Sequence, residues 1–515
     1  MEAIYLDLTA RNDWSSTLPA ANRSFFYPSA SISVLINEFV PMNHVDMLKV
    51  RAGVARTGYD TDPYRLLQVY ANGGNWGEAI MLNKQSGLLN PNLKPEQITS
   101  QEYGVEAKLF GGRVRLDGTY YIMNDRLQIF PVPLAPSTGA TTININAGLL
   151  QSRGVELMIG GTPIKTRDWI WDVNLNFTQN QTKILELADG IPYVQPWSQA
   201  GVVNRGYVKG ATLPDGSIAD GLLGNLYTRK TLRVTDKESP YYGYPIIPGN
   251  PTTGNFSDDP ELTNSNIYSK TGNYNPKFIM GMQSSLTWKG FTLGMTFDWR
   301  HGGQFVSQTF RYMNDDQLTQ YWADKTVTPG VAGGASEALR NWVVENASTL
   351  ITPERVYPIG GPTPETGGFP ESSNMPFPGN MDGVFYPGVF GEMGSDGRFI
   401  LYQENLGNPG TVFEPWGASN VWSVGSYAVF DADYLKLREI SLSYDLPGAW
   451  VKKAKMDNAY ISIYSRNIML WTKSGFGVDP ERAFQPSGSG LFQGVERYNV
   501  SPWIVPVGFK VGFTF

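Results

Sequence analysis

The chain has 515 residues, with 56 glycines, 35 prolines, 13% aromatic and only 17% charged residues, a mix that fits a sheet-rich protein with many turns. It contains no cysteine, which excludes thiol catalysis, cysteine-ligated zinc, iron–sulfur clusters and disulfide staples, and its net charge of −6 argues against nucleic acid as a partner. No stretch approaches the roughly eighteen uninterrupted apolar residues of a spanning helix, so a helical membrane bundle is excluded, whereas a barrel would carry its signal in alternation.

The chain opens at once into the alternating segment IYLDLTARND, which reads as a strand and not as a secretory leader. Alternation of period two then recurs in segments of the length a tilted strand needs to cross a bilayer. Twelve strands are predicted, near 2–11, 24–36, 45–57, 98–110, 113–124, 150–161, 168–180, 275–288, 291–302, 432–445, 458–468 and 503–515. In the fifth, Val114, Leu116, Tyr120 and Ile122 oppose Arg113, Arg115, Asp117 and Thr119, after a tight turn at Gly111-Gly112. In the seventh, Trp169, Trp171, Val173, Leu175 and Phe177 oppose Asp172, Asn174 and Asn176. The eighth places Phe278, Met280, Met282, Leu286 and Trp288 outward, and only Lys289-Gly290 separates it from the ninth. There Phe291, Leu293, Met295, Phe297 and Trp299 face one way, and Thr292, Gly294, Thr296, Asp298 and Arg300 the other. The tenth breaks phase near Arg438-Glu439, which predicts a bulge.

The connections alternate strictly between short (37–44, 111–112, 162–167, 289–290, 446–457) and long (12–23, 58–97, 125–149, 181–274, 303–431, 469–502). Short periplasmic turns and long extracellular loops produce that parity, so the fold class is all-β, a transmembrane antiparallel β-barrel. Within the loops, 336–347 spaces its apolar residues as a short helix, and 357–396 is Pro/Gly-rich and expected to be irregular. The last strand puts Val507, Phe509, Val511, Phe513 and the terminal Phe515 on one face and Lys510 and Thr514 on the other. Phe509, Val511, Phe513 and Phe515 resemble the C-terminal signal by which bacterial barrels engage their insertion machinery. A soluble sheet would leave this apolar edge exposed, which soluble proteins avoid.

Several segments in order resemble the SusC/RagA family of TonB-dependent outer-membrane transporters: TARNDWSSTLP with SFFYPSAS, then LNPNLKPEQITSQEYGVEAKLFGGRVRLDGTYYIMND, NINAGLLQSRGVEL, NPKFIMGMQSSLTWKGFTLGM, ADYLKLREISLSYDLP and RNIMLWTKSGFGVDPE. The resemblance implies a 22-stranded barrel in the bacterial outer membrane, an N-terminal plug, a SusD-like surface lipoprotein as lid, and energy delivered through TonB. Residues 1–515 are then expected to be the C-terminal part of such a barrel, about twelve strands, without plug or signal peptide. The expected cargo is an oligosaccharide, with an oligopeptide as the alternative; a passive porin-like or surface-binding barrel and a secreted carbohydrate-binding protein or glycosidase are the readings from other classes.

No base, nucleophile and oxyanion site converge in the sequence, so no enzyme is expected. Asp298 and His301 fall on opposite faces of a strand, and His44 lies in a short turn. Asp258-Asp259 and Asp315-Asp316 are loop carboxylates explained by hydration, with calcium in the outer loops as the one cofactor they admit. Gly488, Gly490 and Gly494 miss the dinucleotide spacing. Ligand contact is instead expected from loop aromatics: Trp76, Trp197, Tyr207, Trp322, Trp342, Trp416, Trp422 and Trp471. Such rings stack on sugar rings or peptide side chains, although they also form interfacial girdles and pack loops together.

Overall fold

The structure, a computed structural model, describes residues 3–63, 66, 70–84, 87–133, 137, 140, 142–146, 148–199, 201–229, 233–244, 246–250, 255–256, 267–315, 326–327, 383–384, 388–395, 398–405, 414–415, 428–475, 477–485, 493–498 and 503–515. Twelve long strands form a single antiparallel sheet in which every neighbour in space is the neighbour in sequence. They are β1 (Ile4–Trp14), β2 (Ser24–Leu35), β3 (Val45–Tyr59), β4 (Glu96–Leu109), β5 (Val114–Arg126), β6 (Leu149–Lys165), β7 (Trp169–Glu186), β8 (Phe278–Trp288), β9 (Phe291–His301), β10 (Tyr434–Asp445), β11 (Asn458–Thr472) and β12 (Val507–Thr514). All twelve predicted segments are strands. Connections at one end are short, at 36–44, 110–113, 166–168, 289–290 and 446–457; those at the other end are long at 60–95, 127–148, 187–277, 302–433 and 473–506, the exception being 15–23, which is no longer than 36–44, so every long loop emerges from one end of the sheet.

Turn chemistry accounts for the short ends. Lys289 and Gly290 both adopt positive φ (45° and 90°), the geometry of a two-residue hairpin whose twist matches its strands. The predicted bulge is present: Thr296 pairs with Glu439 and Phe297 with Leu437, leaving Arg438 as the extra residue.

Register shows that one face of the sheet is continuously apolar. A single row of laterally paired residues runs Ile4, Val34, Val50, Val105, Gly118, Leu157, Phe177, Met280, Trp299, Leu435 and Trp471 across eleven strands. Many residues on this face stand exposed, among them Leu6, Val105, Ile159, Ile463 and Phe509. An apolar surface of this extent does not persist against water; it is the lipid face of a barrel wall. Aromatic rows border it at both ends. Trp169, Trp288, Phe291 and Tyr444 stack in succession at the short-turn end (5.5, 6.3 and 4.4 Å between ring centres), and Phe177, Phe278 and Trp299 meet at the long-loop end (5.4 and 5.1 Å). The eight-residue rise from Phe291 to Trp299 spans roughly 20 Å for a strand tilted by about 40°, the scale of the apolar band of an outer-membrane barrel. Within it, the Trp171 indole donates to Ser284 Oγ at 3.0 Å, so its N–H is satisfied without water.

The last strand carries the expected alternation. Phe509, Val511, Phe513 and Phe515 stand exposed on the apolar side, and Gly508 and Gly512 on the other side lie beneath the rings of Tyr464 and Tyr460.

Ile159→Arg, in the middle of the apolar band, is expected to destabilise the folded barrel in bilayers by about 2–4 kcal/mol. Asn176→Arg, on the opposite face, is expected to cost much less; equal losses in denaturant titrations of the two variants would contradict the assignment of faces.

Candidate functional site: the polar wall and the loop crown

The face opposite the apolar band is polar and internally cross-linked. Lys49 pairs with Glu106 at 2.6 Å, and Arg51 forks onto Asp117 at 2.7 and 3.1 Å and reaches Thr119 Oγ1 at 2.6 Å. Arg115 donates to Asn174 at 3.2 Å, Thr162 to Asp172 at 2.6 Å, and Arg466 to Glu439 at 2.7 Å. Glycine makes two of these contacts possible. A Cβ on Gly104 would lie 2.4 Å from Arg51 Nε, and one on Gly160 would lie 2.6 Å from the Asn174 amide oxygen, so long side chains lie flat across the strands only because those positions are bare. Between the cross-links the wall offers amides and hydroxyls: Asn174, Gln283, Ser285, Thr296 and Ser441 line a shallow depression with Asp172 and Glu439. A surface of this kind exchanges hydrogen bonds with a polar solute.

The long loops fold into a crown above this wall. One small sheet joins Tyr193–Gln199, Val202–Tyr207, Asn225–Arg229 and Tyr268–Asn273. A second element pairs Gln304–Ser307 antiparallel with Val429–Asp431 and parallel with Val495–Glu496, and so ties the two ends of the β9–β10 loop to the β11–β12 loop. Their shared core contains Trp197, Val202, Leu226, Tyr274, Val306, Ala428 and Val495. Glu496, fully buried, accepts from the hydroxyls of Ser307 and Thr309 at 2.7 Å each. Val389–Met393 is also a strand, paired in parallel with Ile246–Asn250, which corrects the expectation of an irregular 357–396 at those five residues.

A charged cluster fastens the crown to the wall. Lys436 on β10 is wholly buried, and its Nζ lies 2.6 Å from both Asp479 and Glu481. Arg438, the bulged residue, holds Glu481 at 2.6 and 2.7 Å and donates through Nε to Asp298 at 3.0 Å. Asp479 also accepts from the backbone N–H of Glu481 at 3.0 Å and caps the short 3₁₀ turn Pro480–Phe484. The guanidinium of Arg300, 3.6 Å from the centre of the Phe484 ring, donates to the Tyr274 carbonyl at 2.7 Å. Burial alone would raise the Glu481 carboxyl, but hydrogen bonds from Arg438 and Lys436 outweigh it and pull the group down to about 2.

The structure redistributes the expected loop aromatics. Trp76 stands 79% exposed at the end of a hairpin formed by Tyr70–Trp76 and Ala79–Lys84. Trp197 is buried, with its indole donating to the Gln493 carbonyl at 3.1 Å, and Tyr207 is buried between Tyr193 and Tyr227. These two pack the crown and present no ring face to a ligand, a correction that follows from loops far apart in sequence sharing one core. Trp471 lies on β11 and not in a loop; its partner Leu435 puts it in the outward apolar row, facing lipid. Trp322, Trp342, Trp416 and Trp422 lie outside the described residues, as do the helix expected at 336–347, Asp258-Asp259, Asp316, Gly488 and Gly490.

His44 takes φ 67° in its turn and stacks on Phe110 at 5.5 Å. His301 pairs with Asp433 at 2.7 Å, while Asp298 faces the other way, to Arg438. The His301–Asp433 pair borders a cleft of about 490 Å³ with Gln304, Asp431 and Lys473, and Asp431 and Lys473 are themselves paired at 2.7 Å. Among the described residues no group of three or more His, Asp or Glu could hold a metal ion. The sequence reading missed the Lys436 cluster altogether. Its one visible trace was the phase break at Arg438.

Comparison with known proteins follows the same lines. Residues 2–236 match the family model for the TonB dependent receptor-like β-barrel. Among characterised relatives, the TonB-dependent receptors P3 and P26 of Formosa agariphila are 21% and 23% identical over 93% and 99% of this chain, and cover 40% and 44% of their own lengths. TonB-dependent receptor SusC of Bacteroides thetaiotaomicron is 28% identical over 35% of the chain and 19% of its own length. The RagAB peptide importer in its closed-closed state matches the whole chain with 46% of its own, at TM-score 0.64 and 17% identity, a likeness of fold. The chain thus spans less than half the length of these relatives.

Because its carboxyl is held low, Glu481 contributes stability that is complete above its ordinary value of 4.5 and disappears as pH falls through about 2. Hydrogen exchange across 473–485 is therefore expected to stay slow at pH 5 and to accelerate only in stronger acid. Lys436→Met leaves Asp479 buried without its cation, at a cost of about 3–5 kcal/mol. It should open the same segment to proteases at neutral pH; unchanged protection in that variant would refute the fastening role.

Proposed function

We propose, from the premise that this chain is the β-barrel portion of a TonB-dependent receptor of the SusC/RagA type in the outer membrane, that it forms the conducting wall of an active importer of oligosaccharides. In this reading a SusD-like surface lipoprotein closes over the crown, and TonB supplies the energy. The observation that carries the proposal is the pairing of two faces on one sheet: an exposed apolar band toward lipid, and opposite it a wall of amides and hydroxyls on which Lys49–Glu106, Arg51–Asp117 and Arg466–Glu439 form ion pairs. A neutral, hydroxyl-rich solute can exchange hydrogen bonds along such a wall.

An oligopeptide is the second reading, favoured by the likeness to a peptide importer over the whole chain. A passive pore is the third. No catalytic step is proposed, since the one histidine–carboxylate pair described, His301–Asp433, lines a cleft whose other carboxylate, Asp431, is already paired with Lys473.

In cells that depend on the protein, uptake of labelled oligosaccharide is expected to fall to background when the gene is deleted, and equally when a protonophore collapses the inner-membrane gradient. Uptake that survives the protonophore would identify a passive barrel. Loss of labelled oligopeptide uptake with sugar uptake intact would transfer the cargo assignment to peptides.

A further inference from the structure

The outward face of the wall is not apolar to its upper edge. On β3 to β7 the apolar residues give way, toward the long-loop end, to three rows in which eleven of fifteen positions are polar. The lowest row pairs Val54, Gln101, Ile122, Arg153 and Gln181; the next pairs Arg56, Thr99, Asn124, Gln151 and Lys183; the uppermost pairs Gly58, Gln97, Arg126, Leu149 and Glu186. Immediately below them lies a row containing Tyr103 and Tyr120, both exposed, where interfacial tyrosines mark the edge of the hydrocarbon.

The distribution of charge on this face is one-sided. Over all twelve strands, the outward paired positions carry four Lys or Arg residues, Arg56, Arg126, Arg153 and Lys183, and every one belongs to this patch. A single carboxylate, Glu186, shares the face, at its topmost corner beside the crown. Arg56, Arg126 and Arg153 are exposed, and the partners recorded for Arg56 and Arg153 are the neutral amides of Gln97 and Gln151. On the opposite face Arg51, Arg438 and Arg466 are matched to carboxylates, while Arg115 donates to the Asn174 amide. Among the described residues these four cations have no carboxylate partner, and at the depth of the head groups they repel one another unless anions lie among them.

We propose that this patch binds the phosphate-bearing head group of a glycolipid in the outer leaflet. Five strands span about 19 Å and the three rows about 13 Å along the strands, dimensions that suit a sugar head group carrying more than one phosphate. The guanidinium groups supply forked donors for phosphate, and the amides of Gln97, Gln101, Gln151 and Gln181 supply donors and acceptors for the sugar hydroxyls between. The site rests only on the chain's position in the outer membrane and is independent of what the barrel transports.

The intact protein, extracted from outer membranes, is to be titrated with diphosphorylated lipid A and with its phosphate-free counterpart of the same acyl chains, and bound lipid counted by native mass spectrometry. The wild-type protein should retain the phosphorylated lipid at least tenfold better than the phosphate-free one. The variant R56Q/R126Q/R153Q should lose that preference, and R56K/R126K/R153K should keep most of it. Equal retention of both lipids by the wild type, or full retention of the phosphorylated lipid by the glutamine variant, would overturn the proposal. Should the glutamine variant fail to insert, the wild-type preference decides alone. Lipid selectivity with no sugar uptake would refute the import reading and leave this one standing, and the converse result would do the opposite.

Discussion

Lipid offers no hydrogen bonds, and that constraint governs everything below the crown. Each backbone N–H and C=O in the membrane must find a partner on a neighbouring strand, so the chain has to cross as paired strands. Once it does, the period of two forces successive side chains onto opposite faces, and each face must suit a different medium. Residues 291–300 show the outcome within ten positions: Phe291 to Trp299 alternate toward lipid, while Thr296 and Asp298 turn inward, one to the polar wall and the other to Arg438. The Trp171 indole bonded to Ser284 is the same constraint acting on a side chain.

The bulge at Arg438 is where the wall meets the crown. An ordinary strand would alternate Arg438 and Glu439 across the sheet. The extra residue lets both face the interior, Arg438 toward Asp298 and Glu481 and Glu439 toward Arg466. The side chain of Lys436, two residues earlier, is buried by the arriving segment Asp479–Glu481 and neutralised by both carboxylates. A local irregularity in one strand thereby fixes a loop that begins about forty residues away, and does so with charges that remain paired across the ordinary pH range.

How much of this was legible in the sequence depended on the range of the interactions. The strands and their parity were legible because alternation is a local signal, repeated often enough to outweigh errors of a few residues at the ends. Phase arithmetic also exposed the bulge. The crown was not legible, because its strands are short, buried on more than one side and held by residues such as Trp197 and Val495 that come from different loops. Trp471 was misplaced for a simpler reason: β11 runs several residues beyond its last clear alternation, since Leu470 is skipped in the ladder with β10. The patch of Arg56, Arg126, Arg153 and Lys183 could not be found by reading along the chain at all, as its members become neighbours only once the register is known.

The meander order of the wall also separates two stages of assembly. Every lateral contact among the twelve strands closes between consecutive segments, so hairpins can be added one after another at small loop-closure cost, apart from the two long excursions before β8 and β10. The crown has the opposite character: its core joins Trp197 to the Gln493 backbone, 296 positions apart, and Val306 to Val495. Contacts of such separation form slowly and gain from a wall already in place, so the barrel sheet should be the nucleus and the crown the last part to order.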